Sequence, residues 1–138
     1  MADITTTAMA FFEACEAGKG WDACARYCTP TATFTAQSEP LADVTTLQQY
    51  AEWMAWLLGV MPDGRYDLHA FATDPARAAV SAVATFHGTH TGPGGPMEPT
   101  GKSVSTDYVY LMQFDGNRIA HMTKVWNAGW ALKQVGWA

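Results

Sequence analysis

Charge is scarce in this chain. Of its 138 residues 15% are Asp, Glu, Lys or Arg, whereas 49% are apolar, which excludes an intrinsically disordered segment. Basic residues are scarcer still: 8 Lys and Arg stand against 13 acidic residues, for a net charge of −5. Binding a phosphate backbone takes clustered cations, so nucleic acid is not an expected partner. Long apolar runs are missing too. None approaches the roughly 18 residues that suggest a membrane span, so no membrane partner is expected. The N-terminus shows no basic stretch followed by an apolar one, and we expect a cytoplasmic protein. Cysteine is confined to Cys15, Cys24 and Cys28, with no C-x-x-C and no His close by in sequence. That argues against zinc and for reduced, buried thiols, with Cys24 and Cys28 four apart on one face of a helix. Repeats, linkers and low-complexity segments are absent, and the length suits one domain over residues 1–138.

What the chain has is pattern. Thr5, Thr6 and Thr7 offer caps for a helix running to about Ala17, where Gly18 and Gly20 end it. Met9, Phe12 and Glu16 lie near one stripe of it, and Ala8, Phe11 and Cys15 near the next. A second short helix covers about Trp21 to Tyr27; Pro30 stops it, and Thr31 to Gln37 alternates as a strand. After a connection to Val44, Thr45 opens a longer helix, with Gln48 completing a capping box. Leu47, Tyr50, Ala51, Met54, Leu57, Leu58 and Met61 follow its apolar spacing until Gly59 and Pro62 close it. Trp53 and Trp56 widen that apolar surface, either as broader core contact or as the wall of a pocket or interface. Strands follow at Arg65–Thr73 and Ala78–Thr89. Gly92–Pro99 is Gly-rich, but it precedes a strand rather than a helix, so it reads as a pocket rim or lid and not as a phosphate cradle. Gly129–Gly136 makes a closing turn or short helix, and Trp137 can pin the end of the chain. Two helices, a strand, a helix and four strands predict an α+β fold: a curved antiparallel sheet packed on about three helices, closing into a cone with an apolar mouth.

The most informative stretch is Lys102–Trp126, two apolar-rich runs around Asp115-Gly116-Asn117. Strand side chains alternate between faces. One face of the first run carries Val104, Thr106, Tyr108, Tyr110, Met112 and Phe114. The matching face of the second carries Ala120, Met122, Lys124 and Trp126. A two-residue loop would set Tyr110 beside His121 or Thr123. A three-residue loop pairs Phe114 with Arg118 and Tyr108 with Lys124, keeps both apolar faces together, and is the favoured reading. Either way Lys124 is a cation on an aromatic and Met-rich face, where it needs a partner or a purpose.

Desolvated among Tyr108, Tyr110, Met122 and Trp126, the Lys124 amine can have its pKa lowered toward neutrality. It can then act as a base beside a carbonyl or form a Schiff base, with Tyr110 donating to a developing enolate oxygen. Lys124 and Tyr110 are therefore the candidate catalytic pair. Tyr108, Met112, Met122, Trp126, Trp53 and Tyr50 are the candidate substrate-binding wall, joined at the rim by His87 and His90. The alternatives are that Lys124 reaches to the mouth or pairs with Glu52, and that the two histidines bond loop backbone. Asp107 and His121 fall on the opposite, polar face, exposed or facing a second subunit. No metal site and no cofactor is expected, since His87 and His90 have no third ligand in evidence.

The order of elements, the run FHGTHTGPGGPMEPTGKSVSTDYVYLMQFDGNRIAHMTKVW and the ending ALKQVG resemble the SnoaL-like polyketide cyclases, of the nuclear-transport-factor-like, cystatin-like α+β superfamily. Gly88-Thr89-His90, Pro99-Thr100-Gly101, the turn before Ile119 and Leu132–Gly136 carry most of the likeness. The resemblance implies a dimer and a metal-free, cofactor-free intramolecular aldol closure, with an aspartate on the last strand as acid/base and an assisting histidine on the strand before. Carried over by position, these roles fall on Lys124 and Tyr110; Asn127 and Ala128 stand where acidic residues are common. Three functions stay open: a cyclase-, lyase- or isomerase-type enzyme acting on an apolar, carbonyl-bearing ligand; a non-catalytic small-molecule binder; and a homodimeric scaffold using Val109, Leu111 and Val125. A deep cavity holding Lys124 favours the first, a deep cavity without a polar group the second, a filled cone the third.

Overall fold

A computed structural model describes residues 3–138. Asp3, rather than the threonines, caps the first helix, α1 (Ile4–Glu16), its carboxylate accepting from the Thr6 amide at 2.8 Å. Thr7, Ala8, Phe11, Phe12, Cys15 and Glu16 form its buried face, so an acid ends a face that carries no other charge. Helix α2 is one turn, Trp21–Cys24, and a tight turn leads directly into β1 (Cys28–Ala36). Cys24 and Cys28 therefore do not share a helix: Cys28 opens the strand, and all three cysteines are free and buried. Pro30 sits inside β1 rather than before it. An edge strand with irregular pairing between Cys28 and Thr33 tolerates the missing donor. Helix α3 (Leu47–Val60) is capped one residue later than expected: the Thr46 hydroxyl accepts from the Gln49 amide, and the Gln49 side chain accepts from the Thr46 amide.

Strands β2 (Arg65–Asp74), β3 (Ala79–Thr89), β4 (Ser103–Asp115) and β5 (Arg118–Trp126) complete a five-stranded sheet in the order β1-β5-β4-β3-β2, and helix α4 (Ala128–Val135) closes the chain. The sheet is mixed, because β1 runs parallel to β5 while every other pair is antiparallel. The α+β architecture expected from the element order is present. Residues of α1 and α3 join the inner face of the sheet in one buried cluster, with Phe34 of β1, Tyr110 of β4 and Met122 of β5 among its members. No helix among the described residues is long and apolar enough to cross a membrane.

The β4–β5 hairpin differs from the favoured register. Asp115 pairs with Arg118 across Gly116-Asn117, with Gly116 at φ +61°, so the loop has two residues. A bulge then follows: Phe114 pairs with Ile119 and Gln113 with His121, leaving Ala120 as the extra residue. The bulge restores the parity that a two-residue loop would break. Both apolar faces thus point inward, but Lys124 lies across from Tyr110 and Trp126 across from Tyr108.

Candidate functional site

Strand parity places the Lys124 amine inside. The residue is 6% exposed, and its Nζ donates to the Tyr50 hydroxyl of α3 at 3.0 Å. Aromatic rings enclose the amine, with Nζ 4.6 Å from the Trp126 ring centre, 5.1 Å from Tyr50, 5.2 Å from Trp53, 5.4 Å from Tyr108 and 5.9 Å from Tyr110. Ring faces stabilise a cation, but less than the water they displace. Burial lowers the Lys124 pKa to about 8, against an opposing pull from Glu16.

Glu16 is the residue that the sequence-based site lacks. It is 3% exposed, and its carboxylate accepts from the Tyr108 hydroxyl at Oε1 and from the Tyr110 hydroxyl at Oε2, the latter at 2.5 Å. Tyr110 also bonds Tyr50. The single Tyr110 proton goes to Glu16, so Tyr50 is the donor between the two hydroxyls. Read in order, Lys124 donates to Tyr50, Tyr50 to Tyr110 and Tyr110 to Glu16. Burial raises the Glu16 pKa, while Lys124 and the two tyrosines oppose it. Burial, then Glu16, pushes the pKa values of Tyr50, Tyr108 and Tyr110 up, so the hydroxyls keep their protons. Glu52, the expected alternative partner of Lys124, instead accepts from the Trp21 amide at 3.1 Å.

Two neighbouring spaces with shared walls lie beside this network. The larger, about 470 Å³, is walled by Trp53 and Trp56 of α3, Phe86, Val104, Thr106, Trp126, α4 and Trp137, with Gly94–Pro96 at its rim. That is the size of a small-molecule site. A recess of about 20 Å³ shares the walls Trp53, Leu57, Phe86, Thr106 and Trp126 and reaches Glu16, Tyr108 and Lys124. Its volume admits one water-sized group, such as a carbonyl oxygen. Thr106 accepts from the Trp126 indole at 2.9 Å, which leaves its own hydroxyl proton free.

Of the sequence-derived candidates, Trp53 and Trp126 line both spaces, and Tyr108 and Lys124 line the recess. Tyr50 and Tyr110 stand behind them and line neither. Met112 and Met122 pair across strands deep in the core. His87 points from the outer face of the sheet and bonds Asp67 at 2.9 Å. His90 is buried at the loop: its Nδ1 accepts from the Thr100 amide at 3.2 Å and the Trp137 indole at 3.0 Å. Asp107 and His121 are not paired; the first accepts from Thr85, and the second bonds Thr33 and Thr35. Among the described residues no three His, Cys, Asp or Glu side chains lie together as a metal would require.

A family model described as the SnoaL-like domain matches residues 8–122. No curated protein matches the sequence. Among solved structures, a candidate SnoaL-like polyketide cyclase from Jannaschia sp. CCS1 superposes with a TM-score of 0.78 at 17% identity, covering 98% of this chain and 95% of that one. An NTF2-like protein from Burkholderia thailandensis E264 gives 0.74 at 17% identity, covering 97% and 98%. A candidate hydroxylase from Streptomyces galilaeus gives 0.76 at 16% identity, covering 96% and 84%. Identities this low establish a shared fold.

Proposed function

Given that this chain belongs to the SnoaL-like domain family, we propose that it binds an apolar, carbonyl-bearing small molecule and that Lys124 serves as the base that removes a proton beside the carbonyl. The observation that carries this reading is a buried amine, with a pKa near 8, in a recess that shares the walls Trp53, Leu57, Phe86, Thr106 and Trp126 with an apolar cavity. A base whose pKa lies close to working pH combines an available lone pair with useful proton affinity. The ligand's apolar body occupies the large space and its carbonyl enters the recess. As the α-proton moves to Nζ, negative charge develops on the carbonyl oxygen, and the free Thr106 hydroxyl proton is placed to meet it. Tyr110 does not take that part, because its proton is held by Glu16. The enolate so formed is the common intermediate of aldol, cyclase and isomerase chemistry, and none of its steps needs a cofactor.

The test needs no knowledge of the natural substrate. A bicyclic ketone such as 2-tetralone exchanges its α-protons in heavy water, and NMR follows the rate. The protein is expected to accelerate exchange, and Lys124→Met to lose roughly a hundredfold of that acceleration. Equal rates for the two proteins would remove Lys124 as the base. The same reading includes a homodimer through the outer face of the sheet, where Leu111 and Val125 are exposed. Sedimentation equilibrium should then give twice the 15.0 kDa chain mass, and a monomer at micromolar concentration would contradict it.

A further inference from the structure

We propose that Lys124 discharges its proton inside the protein, to Glu16, along the hydroxyls of Tyr50 and Tyr110, so that a free amine appears in the cavity without a proton entering or leaving the molecule. This deepens the reading of Lys124 as a base and rests on it. The geometry is a directed hydrogen-bond chain of four side chains drawn from four elements: β5, α3, β4 and α1. Each donor already points toward the next acceptor. One Nζ–H bond breaks as its proton joins the Tyr50 oxygen; the Tyr50 proton moves to the Tyr110 oxygen, and the Tyr110 proton to Glu16 Oε2. The ammonium becomes an amine, the carboxylate a carboxylic acid, and each tyrosine ends with one proton as it began. The hydrogen bonds then run in the opposite sense.

Both end states are supported. The charged pair has the aromatic rings around Nζ and two hydroxyl donors on the carboxylate. The neutral pair avoids holding two ions out of water, a cost of several kcal/mol per ion in protein interiors. Burial moves the two pKa values toward each other, raising that of Glu16 and lowering that of Lys124. The other titratable groups facing the pair are Cys15 on α1 and Tyr108 on β4, both of which hold their protons more tightly than usual. Tyr66 on β2 and Cys24 on α2 also feel the Glu16 charge. While the pair shares one proton, the ratio of its two forms does not change with pH. A ligand therefore meets a constant fraction of free amine at neutral pH, where an isolated lysine would offer a fraction that falls with every step toward acid.

The experiment is NMR of protein carrying 13C-labelled lysine and glutamate, following Lys124 Cε and Glu16 Cδ across the pH range with no ligand present. In the wild type both nuclei are expected to move through the same two steps, because each step belongs to the pair. Glu16→Gln should leave Lys124 with a single step. Tyr110→Phe, which keeps the ring and removes the connecting hydroxyl, leaves the direct attraction between the two charges and should keep the shared steps, but should slow the interconversion of the two forms, read as relaxation dispersion at Lys124 Cε. Wild-type nuclei that each titrate once, at separate pH values, would overturn the proposal even if neither variant folds. Interconversion equally fast in the wild type and Tyr110→Phe would refute the route. Since no ligand takes part, shared titration alongside failed ketone exchange would sink only the functional reading, and separate titration alongside intact exchange only this one.

Discussion

Lys124 titrates against its own burial, and that has a consequence for stability that needs no ligand. An unfolded lysine holds its proton to about 10.5, whereas in the fold the group releases it near 8. Between these values the unfolded chain binds more protons, so this residue makes stability rise with pH; below 8 it adds no slope, and above 10.5 the rise is complete. The size is about 3 kcal/mol. Urea unfolding of the wild type and Lys124→Met should show their difference moving in favour of the wild type by about that amount across this window. A difference constant with pH would mean that the amine is hydrated. Lys124 was legible because strand parity alone puts a cation on an aromatic face. Glu16 was legible in part: it shares a stripe with Phe12 four residues earlier, an acid on an apolar face. Its partners are not local, and only the sheet crossing beneath α1 brings it to Tyr108 and Tyr110.

At the scale of elements, parity and register behaved differently. A three-residue loop and a two-residue loop with a bulge leave the same residues facing inward. The pattern therefore gave the correct faces and shifted the partner of Lys124 by two residues, from Tyr108 to Tyr110. The rim loop offers a sharper case. Its composition suggested a flexible rim or lid, and it is a rim tied to the end of α3: the Gly92 amide donates to the Val60 carbonyl at 2.9 Å, and the Trp56 indole donates to the Gly94 carbonyl at 2.9 Å. A Cβ at Gly92 would lie 2.0 Å from the Gly59 carbonyl oxygen, an approach only glycine permits. Gly92→Ala should cost about 1–3 kcal/mol in urea unfolding, and unchanged stability would show that the loop does not touch the helix there. Trp56, which looked like surplus apolar surface, is explained by the same contact and by its place in the cavity wall.

For the whole molecule, the fold comes from local pattern and the site from long-range crossing. Helix and strand periodicities, with caps misplaced by a residue or two, suffice for an α+β arrangement. The chain from Lys124 to Glu16 joins residues 108 positions apart through two other elements, which no local pattern encodes. The proposed function needs the buried amine to be reachable from the neighbouring apolar cavity, and that can be asked of the folded protein directly. Incubation at pH 8 with an apolar aromatic aldehyde and cyanoborohydride converts any amine that forms an imine into a stable secondary amine, and peptide mass mapping locates it among Lys19, Lys102, Lys124 and Lys133. The account predicts modification of Lys124 ahead of the three other lysines, blocked by prior binding of an apolar ketone. Modification of those three with Lys124 untouched would contradict it.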